Sequence, residues 1–276
     1  MTVAAGALHI QRLSVVREGG RRALDSIDLS IGAGERVAVI GPSGAGKTTL
    51  LRVLATALRQ SDGGLEVLQL DPWTLGARAR RRLRARIGLI HQAPPLPPRQ
   101  RVVTTVLAGR LGAWPLWKAL ASLAHPADIE GAREVLAKLD LADRVFDRCD
   151  RLSGGQAQRA GIARVLYQRP EVILADEPVS SLDPALANHT VGVLVAEAAR
   201  RGVTLVASLH AVDLALAHFP RIVGLRDGRV LFDLPTPSID GTLLDHLYAQ
   251  EGFPPTQEGR PLETLRLPPA AEPRCR

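Results

Sequence analysis

The sequence has few cysteines, few aromatic residues and no long uncharged apolar run, and each shortage excludes a class of protein. Two cysteines in 276 residues, Cys149 and Cys275, cannot form the disulfide framework of a small secreted domain. Aromatic residues make up 3% of the chain, too few for a surface that stacks on nucleic-acid bases. The N-terminus lacks a basic start followed by an apolar core, and no apolar run has the length of a membrane span. We therefore expect a globular protein of a reducing compartment.

Positive charge, by contrast, is abundant. The formal net charge is +7 and comes almost entirely from arginine, since lysine occurs only at Lys47, Lys118 and Lys138. Arginine is concentrated in the stretch Arg78 to Arg86 and in the C-terminal tail. Such a stretch can contact nucleic acid or a membrane surface. Because no aromatic residue interleaves Arg78 to Arg86, we interpret it as the solvated face of a helix.

A glycine-rich segment matches the phosphate-binding pattern G-x-x-x-x-G-K-[ST]. It reads Gly41, Pro42, Ser43, Gly44, Ala45, Gly46, Lys47, Thr48, Thr49. An apolar run precedes it and the helix-forming run Leu50 to Leu58 follows, so the context is strand, loop, helix. Glycine lets backbone N–H groups point at a phosphate chain, and the positive end of the helix dipole favours the same anion. The pattern predicts that Lys47 reaches the outer phosphates of a nucleotide and that the Thr48 hydroxyl ligates Mg²⁺.

Apolar runs and helical periodicities alternate along the rest of the chain. We predict extended runs over 8–10 and 13–16, strands over 23–31, 36–40, 65–70, 87–90, 172–175 and 203–208, and a terminal hairpin over 221–233. We predict helices over 78–86, 102–118, 128–139, 157–168, 184–201 and 240–250. Prolines 94, 95, 97 and 98 predict an extended, exposed loop. The alternation indicates an α/β fold with a mainly parallel sheet, which binds ligands at the carboxyl ends of its strands.

Polar residues that could do chemistry lie at the ends of these elements. Asp176 and Glu177 follow a buried run, where adjacent carboxylates are costly unless a cation or a water molecule uses them. His210 lies just past another strand, although a histidine there is by itself more often structural than catalytic. A second glycine pair, in Leu152-Ser153-Gly154-Gly155-Gln156, starts a helix and is a second potential anion site. Asp183 before Pro184 predicts a helix N-cap.

In this order, the motifs resemble those of the ATP-binding subunits of ABC transporters. The Walker A loop is matched at 41–49, the Q-loop at Gln92, the signature motif at 152–156, the Walker B strand with its following acid at 172–177, the D-loop at 181–183 and the switch histidine at His210. The resemblance covers about residues 8–248. It implies a P-loop NTPase with a mainly parallel core sheet, an N-terminal antiparallel β part and an inserted α-helical subdomain. We expect the ATPase domain over 1–250, the helical subdomain over about 93–165 and a proline-rich disordered tail over 251–276.

The resemblance also implies a role for each site residue. The segment Gly41 to Thr49 and Gln92 would bind ATP, and Thr48, Gln92 and Asp176 would hold Mg²⁺. Glu177 would orient and polarise the attacking water, and His210 would contact the γ-phosphate and hold Glu177. The remaining site residues would contact the ATP of a second subunit in a head-to-tail homodimer; they are Ser153, Gly154, Gly155, Gln156 and Asp183.

Within the family, the chain is most similar to phosphonate importers. The similar stretches are 106–112 with Pro115 and Trp117, 175–178 with 181–184, 209–216, 221–226 and 245–248. This similarity implies an ATP-hydrolysing subunit that energises import of phosphonates or related phosphorus oxyanions. We expect it to be peripheral on the cytoplasmic face of the cell (inner) membrane. The expected partners are integral permease subunits and a periplasmic or extracellular substrate-binding protein, with no nucleic acid.

Two other functions remain open. One is an ABC ATPase for another cargo, such as amino acids or lipoprotein. The other is a soluble ABC ATPase acting on nucleic acid, which the sequence pI of about 10.3 suggests. Such proteins tend to carry paired ATPase domains or long coiled-coil insertions, and neither occurs in this sequence.

The chain departs from the family where adenine usually stacks on an aromatic residue. Between Leu13 and Leu24 it has no aromatic residue. Either the guanidinium plane of Arg17 takes that role, or base selectivity is weak. The proline-dense loop after Gln92 also departs from the family's usual aromatic- and Asn-containing sequence.

Overall fold

The computed structural model describes residues 6–114 and 128–249. In these ranges the strands are β1 (Gly6–Val16), β2 (Arg22–Gly32), β3 (Arg36–Ile40), β4 (Asp62–Val67), β5 (Ile87–Ile90), β6 (Val172–Asp176), β7 (Thr204–Ser208), β8 (Arg221–Arg226) and β9 (Arg229–Pro235). The α-helices are α1 (Lys47–Leu54), α2 (Ala77–Ala85), α3 (Val102–Leu107), α4 (Ile129–Ala137), α5 (Gly154–Gln168), α6 (Pro184–Arg201), α7 (Val212–His218) and α8 (Gly241–Tyr248). None of these helices is long and apolar enough to cross a membrane.

The central sheet has six strands in the order β5-β6-β7-β3-β8-β9, and only the β8–β9 pair is antiparallel. Every residue of β6 and β7 is buried, as expected for parallel strands covered on both faces. Because β6, β7 and β3 are adjacent and parallel, their carboxyl ends meet at one edge of the sheet. The predicted mainly parallel sheet is confirmed, and this edge carries the loop after β3 and the acids Asp176 and Glu177 at the end of β6.

A second, antiparallel sheet of three strands, in the order β2-β1-β4, forms the N-terminal β part. The predicted extended runs at 8–10 and 13–16 are one strand with an irregularity between Ile10 and Leu13. At this bulge Arg12 takes a positive φ of 44°. Apolar side chains of the sheet pack with those of α1, so the sheet supports the helix that follows the glycine-rich loop.

Four predicted elements have boundaries that are wrong by three residues or more; one is the helix predicted over 157–168, which begins at Gly154. The strand predicted over 65–70 runs over Asp62–Val67, because Leu68 and Gln69 take positive φ values of 51° and 65° and turn the chain. The first helix ends at Leu54 rather than Leu58, and Thr56 beyond it has a positive φ of 56°. The helix predicted over 102–118 is an α-helix only to Leu107, followed by a 3₁₀ turn at Ala108–Arg110.

Close packing explains the early end of α3. A Cβ atom at Gly109 would lie 2.3 Å from the carbonyl oxygen of Arg164 on α5, so only glycine fits at this contact. Glycine also lowers helix propensity, and β-branched residues fill most of α3. Residues 111–114 of the predicted helix form a turn instead, and its last four residues, 115–118, lie outside the described residues, as does the predicted tail.

An ion-pair cluster joins the helical segment between β5 and β6 to the core. Glu197 on α6 accepts hydrogen bonds from Lys138 Nζ at 3.0 Å and from Arg200 Nη2 at 2.7 Å. Hydrogen bonds from Arg200 and Lys138 lower the pKa of Glu197 to about 2. The carboxylate is thus charged at neutral pH and holds α6 against the end of α4.

Candidate active site

The loop between β3 and α1 has a backbone that only glycine can adopt at two points. Gly41 has φ 148°, and a Cβ atom there would lie 1.9 Å from the carbonyl oxygen of Leu225. Gly46 has φ 108°, and its Cβ would lie 2.6 Å from the carbonyl oxygen of Ala23. Backbone atoms of β8 and β2 therefore lie in direct contact with the loop and fix its path around the start of α1.

Lys47, the first residue of α1, is 5% exposed. Its ammonium donates to the carbonyl oxygens of Gly41 at 2.7 Å and Pro42 at 3.0 Å. The loop thereby holds a buried positive charge at its own mouth, next to the N-terminus of a helix. Both features favour a bound polyanion such as the outer phosphates of a nucleotide.

The next residue of α1 reaches across to β6. Thr48 Oγ1 donates to Asp176 Oδ1 at 3.0 Å, and Ser208 Oγ donates to the same oxygen at 2.9 Å. Ser208 Oγ also accepts from the backbone N–H of Glu177 at 3.0 Å. Ser208 was not predicted as a site residue. Its position at the end of a fully buried strand, paired with the end of β6, is the signal that could have identified it.

This donor set fits magnesium. Mg²⁺ prefers hard oxygen ligands and commonly takes one or two from the protein, with phosphate oxygens and water completing its shell. The Thr48 hydroxyl and the Asp176 carboxylate are adjacent oxygen donors beside the loop. Within the described residues no group of three His, Cys, Asp or Glu side chains could form a metal cage by itself. Phosphate oxygens of a nucleotide and water would complete the shell of a Mg²⁺ held by Thr48 and Asp176.

Glu177 connects the ends of two further strands. Its Oε1 is 2.7 Å from His210 Nε2, beyond β7, and its Oε2 accepts from Gln92 Nε2 at 2.6 Å, beyond β5. The side chain of Glu177 is 13% exposed, whereas that of His210 is 50% exposed. The structure thus brings Gln92, Glu177 and His210 together, and the hydrogen bond of Gln92 goes to Glu177 rather than to Asp176.

The backbone of Glu177 is strained. Its φ of 47° lies in the left-handed region, which a non-glycine residue rarely occupies. Such strain persists where the surroundings over-determine a conformation, and it concentrates at functional sites. Here the N–H of Glu177 is bonded to Ser208 and its carboxylate to two side chains, so the carboxylate is held in one orientation.

The second glycine pair lies at the start of α5, at the surface of the protein. Ser153 is the N-cap and forms a capping box with Gln156, in which each side chain bonds the other's backbone N–H. Ser153 and Gly154 are exposed, and a Cβ atom at Gly154 would meet nothing within 4 Å. A Cβ at Gly155 would lie 2.8 Å from Leu182 Cδ2, which places the start of α5 beside the turn before α6.

That turn ends in the predicted N-cap. Asp183 is exposed, and its Oδ1 accepts from the backbone N–H of Leu186 at 3.0 Å, with Pro184 at the first helical position. The predicted cap of α6 is confirmed. Within this chain the structure leaves Asp183 and Ser153 at the surface rather than among the side chains around Asp176 and Glu177.

The helix α5 also contacts the loop after β5. Gln158, which is buried, donates to the carbonyl oxygen of His91 at 3.2 Å. A Cβ at Gly161 would lie 2.7 Å from Pro94 Cβ, so the proline-rich loop packs closely on α5. Residues on both sides of Gln92, His91 and Pro94, thus contact α5 directly.

Arg17 lies beside the loop, at the end of β1. Its Nη2 donates to Thr49 Oγ1 at 2.9 Å, and Thr49 is 4% exposed in the first turn of α1. Arg17 itself is exposed. The bond therefore fixes one end of a planar, solvent-facing guanidinium next to the glycine-rich loop.

Comparison with known proteins identifies relatives over most of the chain. A model of the ABC transporter family matches residues 24–180. The chain is 62% identical to the phosphonates import ATP-binding protein PhnC 2 of Pseudomonas aeruginosa over 267 residues, which cover 97% of each protein. It is 62% identical to PhnC 1 of Cupriavidus necator, over 92% of this chain and 90% of that protein.

Solved structures agree on the fold. A dimeric bacterial ABC transporter cassette matches with a TM-score of 0.72 at 25% identity, covering 84% of this chain and 100% of the cassette. A dimeric post-hydrolysis state of an ATP-binding cassette, bound to ADP and phosphate, matches with a TM-score of 0.71, 25% identity and the same coverage. These matches confirm the predicted P-loop NTPase fold.

Proposed function

Because the chain belongs to the ABC transporter family of ATP-binding proteins, we propose that it is the ATP-hydrolysing subunit of an importer for phosphonates or related phosphorus oxyanions. The observation that supports phosphonates as the cargo is the 62% identity with a protein named for phosphonate import, over 97% of both chains. The side chains assembled at the strand ends support ATP hydrolysis itself.

Phosphoryl transfer depends on charge neutralisation and positioning more than on covalent chemistry. The backbone of Gly41 to Thr49 and the ammonium of Lys47 bind the β- and γ-phosphates of ATP. Thr48 and Asp176 would hold Mg²⁺, which would neutralise charge on the phosphates, and Gln92 would complete or sense its ligand shell. This assignment is supported by the 3.0 Å contact between the Thr48 hydroxyl and the Asp176 carboxylate.

Glu177 orients and polarises the water that attacks the γ-phosphate. Its carboxylate is already held by His210 at 2.7 Å and Gln92 at 2.6 Å, so little reorientation is needed when the nucleotide binds. His210 also contacts the γ-phosphate. Because Gln92 bonds Glu177, displacement of the loop after β5 would misplace the catalytic carboxylate.

The complete site needs a second copy of the chain. Ser153, Gly154, Gly155 and Gln156 of one subunit close over the nucleotide of the other, with Asp183 along the seam. The outward-facing start of α5 supports this arrangement, since the open space above Gly154 admits a phosphate group. ATP binding then closes the dimer and hydrolysis lets it open.

The loop after β5 transmits the opening and closing of the ATPase dimer to the membrane permease. We assign the ATPase domain to residues 1–250 and a helical subdomain to about 93–165, within which the loop at Pro94 to Pro98 contacts an integral permease. The hydrogen bond from Gln158 to His91 and the contact between Pro94 and Gly161 support a coupled movement of this loop and α5. The subunit would lie on the cytoplasmic face of the membrane, and a substrate-binding protein would deliver the cargo on the other side.

The cargo is tested by reconstitution with the permease subunits and binding protein encoded beside this chain. We expect ATPase activity in proteoliposomes to rise several-fold with a phosphonate-loaded binding protein. The control is the same binding protein offered an amino acid. Equal stimulation by both, or stimulation only by a permease for another cargo, would contradict phosphonate import.

Arg17 is our candidate for the adenine contact that an aromatic residue usually makes. Its guanidinium is anchored by Thr49 and solvent-facing, so it can stack on a purine by its plane. We expect Arg17→Ala to raise the KM for ATP by about 5- to 30-fold with little change in kcat, and Arg17→Tyr to restore it. An unchanged KM in Arg17→Ala would mean that Arg17 does not contact adenine and that the protein selects its base weakly. A comparison of ATP and GTP hydrolysis would then measure that selectivity.

A further inference from the structure

Ser208 is the last residue of β7 and is completely buried. Its backbone is paired with Asp176 of β6 on one side and with Val39 of β3 on the other. The next residue, Leu209, donates its N–H to the carbonyl oxygen of Val39 at 3.1 Å. A residue whose backbone is fixed between two parallel strands is a rigid base from which its side chain can orient other groups.

The hydroxyl of Ser208 has one proton and two lone pairs, and the structure uses both kinds of group. The hydroxyl donates its proton to Asp176 Oδ1 at 2.9 Å, and its oxygen accepts the backbone N–H of Glu177 at 3.0 Å. Among residues 6–114 and 128–249, no other side chain bonds to both of these acidic residues. One buried oxygen atom therefore links the side chain of the first to the main chain of the second.

The bond to Asp176 determines which oxygen of that carboxylate is free. Oδ1 accepts from Thr48 at 3.0 Å as well as from Ser208. Across the described ranges Oδ2 accepts no hydrogen bond, so it is the oxygen left for a cation. Under the proposed function the Thr48 oxygen would itself be a ligand of Mg²⁺, whereas Ser208 only orients Asp176.

The bond to Glu177 holds a backbone conformation that is otherwise unfavourable. A φ of 47° is rare for a residue other than glycine, and it persists where neighbouring groups fix it. His210, two residues after Ser208, lies 2.7 Å from the carboxylate of Glu177. The end of β7 thus contacts Glu177 at its N–H and at its carboxylate, while the same Ser208 hydroxyl holds Asp176.

We propose that Ser208 is a positioning residue for ATP hydrolysis, which keeps the carboxylate of Asp176 and the backbone of Glu177 in a fixed relation to each other. The inference rests on the proposed function, which assigns the metal to Asp176 and the attacking water to Glu177. Removing a group that hydrogen-bonds a metal ligand typically lowers metal affinity or activity by about 10- to 100-fold. We expect Ser208 to affect both quantities, because its oxygen also holds Glu177.

Ser208→Ala in the purified full-length chain removes both hydrogen bonds. We expect the Mg²⁺ concentration for half-maximal ATPase activity to rise, and kcat to fall, each by about 10-fold or more. Affinity for ATP in the presence of EDTA should stay within about threefold, because Ser208 makes no hydrogen bond with the glycine-rich loop in the described structure. Binding of Mn²⁺ to the ADP complex, followed by electron paramagnetic resonance, should weaken by about 10-fold and does not depend on turnover.

Thr204, at the other end of the same strand, provides a matched control. It is also buried, and its hydroxyl accepts from the N–H of Gly34 at 2.9 Å and donates to the carbonyl oxygen of Gly32 at 3.3 Å. Thr204→Val therefore removes a comparable bridge, far from the strand ends that carry the acids. We expect the temperature of thermal unfolding to fall in both variants, but the Mg²⁺ requirement to rise only in Ser208→Ala.

Three results would overturn the proposal. They are an unchanged Mg²⁺ requirement in Ser208→Ala, an equal rise in Thr204→Val, and a loss of affinity for metal-free ATP as large as the loss for Mn²⁺. If Ser208→Ala does not fold, Ser208→Cys takes its place, since a thiol is a weaker donor and acceptor; its Mg²⁺ requirement should rise by about threefold, and no rise would also contradict the proposal. Absence of ATP hydrolysis by the unmodified protein would count against the proposed function, whereas the Mn²⁺ measurement would still test Ser208.

Discussion

Two helices of this protein begin at a glycine-containing segment that we propose as an anion site, and the two beginnings differ in what surrounds them. The start of α1 is enclosed by its own chain, since a side chain at Gly41 would lie 1.9 Å from a backbone carbonyl oxygen and Lys47 is 5% exposed. The start of α5 is open, with Ser153 and Gly154 exposed and nothing within 4 Å of a Cβ at Gly154.

This difference is consistent with the proposal that each subunit supplies one half of its own ATP site and one half of its partner's ATP site. The enclosed start has the ammonium of Lys47 and the hydroxyl of Thr48, both from α1, and the hydroxyl contacts the carboxylate of Asp176 at the end of β6. The open start has only its capping box, so its donors face whatever approaches from outside the chain. We propose that an anion bound by the first is held by one subunit and that an anion bound by the second is presented by another subunit.

Glu177→Gln should have the largest effect and leaves both anion sites intact. We expect turnover to fall by about 10²- to 10⁴-fold, because the amide cannot polarise the attacking water, while ATP binding changes little. A dimer should then accumulate in the presence of ATP, as seen by light scattering. Glu130→Gln, an exposed carboxylate paired with Arg133, is the control and should hydrolyse ATP normally. Hydrolysis by Glu177→Gln at the normal rate would remove Glu177 from its role.

Ser153→Arg tests the start of α5 independently of the start of α1. The added side chain fills the open start of α5 without touching the glycine-rich loop, so ATP should bind but at least about 10-fold less ATP-dependent dimer should form. Lys47→Ala should do the reverse and lose ATP binding itself. Because Ser153→Arg also removes a helix cap, which costs about 1 kcal/mol, Ser153→Ala measures that contribution alone. An ATP-dependent dimer of Ser153→Arg would contradict the division of the site.

The smallest expected effects come from adjacent glycines. Gly154→Ala has open space and should stabilise the folded chain by about 0.5–1 kcal/mol, yet lower ATPase activity several-fold, since a partner's phosphate needs that space. Gly155→Ala must displace Leu182, 2.8 Å away, and should be about 1 kcal/mol less stable than Gly154→Ala. Thermal unfolding and ATPase assays on both variants measure this contrast. Full activity in Gly154→Ala would mean that nothing approaches that surface closely.

The sequence by itself determined the features that depend on near neighbours along the chain. The glycine-rich loop, the capping residues Ser153 and Asp183, and the alternation of strands and helices follow from residue types at short spacings along the chain. The parallel sheet then required Gly41, Asp176 and His210 to meet at one edge, because parallel strands end on the same side.

Only the tertiary structure decided the contacts between distant segments. Ser208 bonds Asp176 because β7 pairs with β6 in one register, and Trp73 packs on Arg59 and Arg80 across a turn that no local pattern specifies. The end of α3 at Leu107 likewise depends on how closely Gly109 approaches α5. Such contacts depend on packing between elements far apart in sequence, which residue type and spacing do not encode.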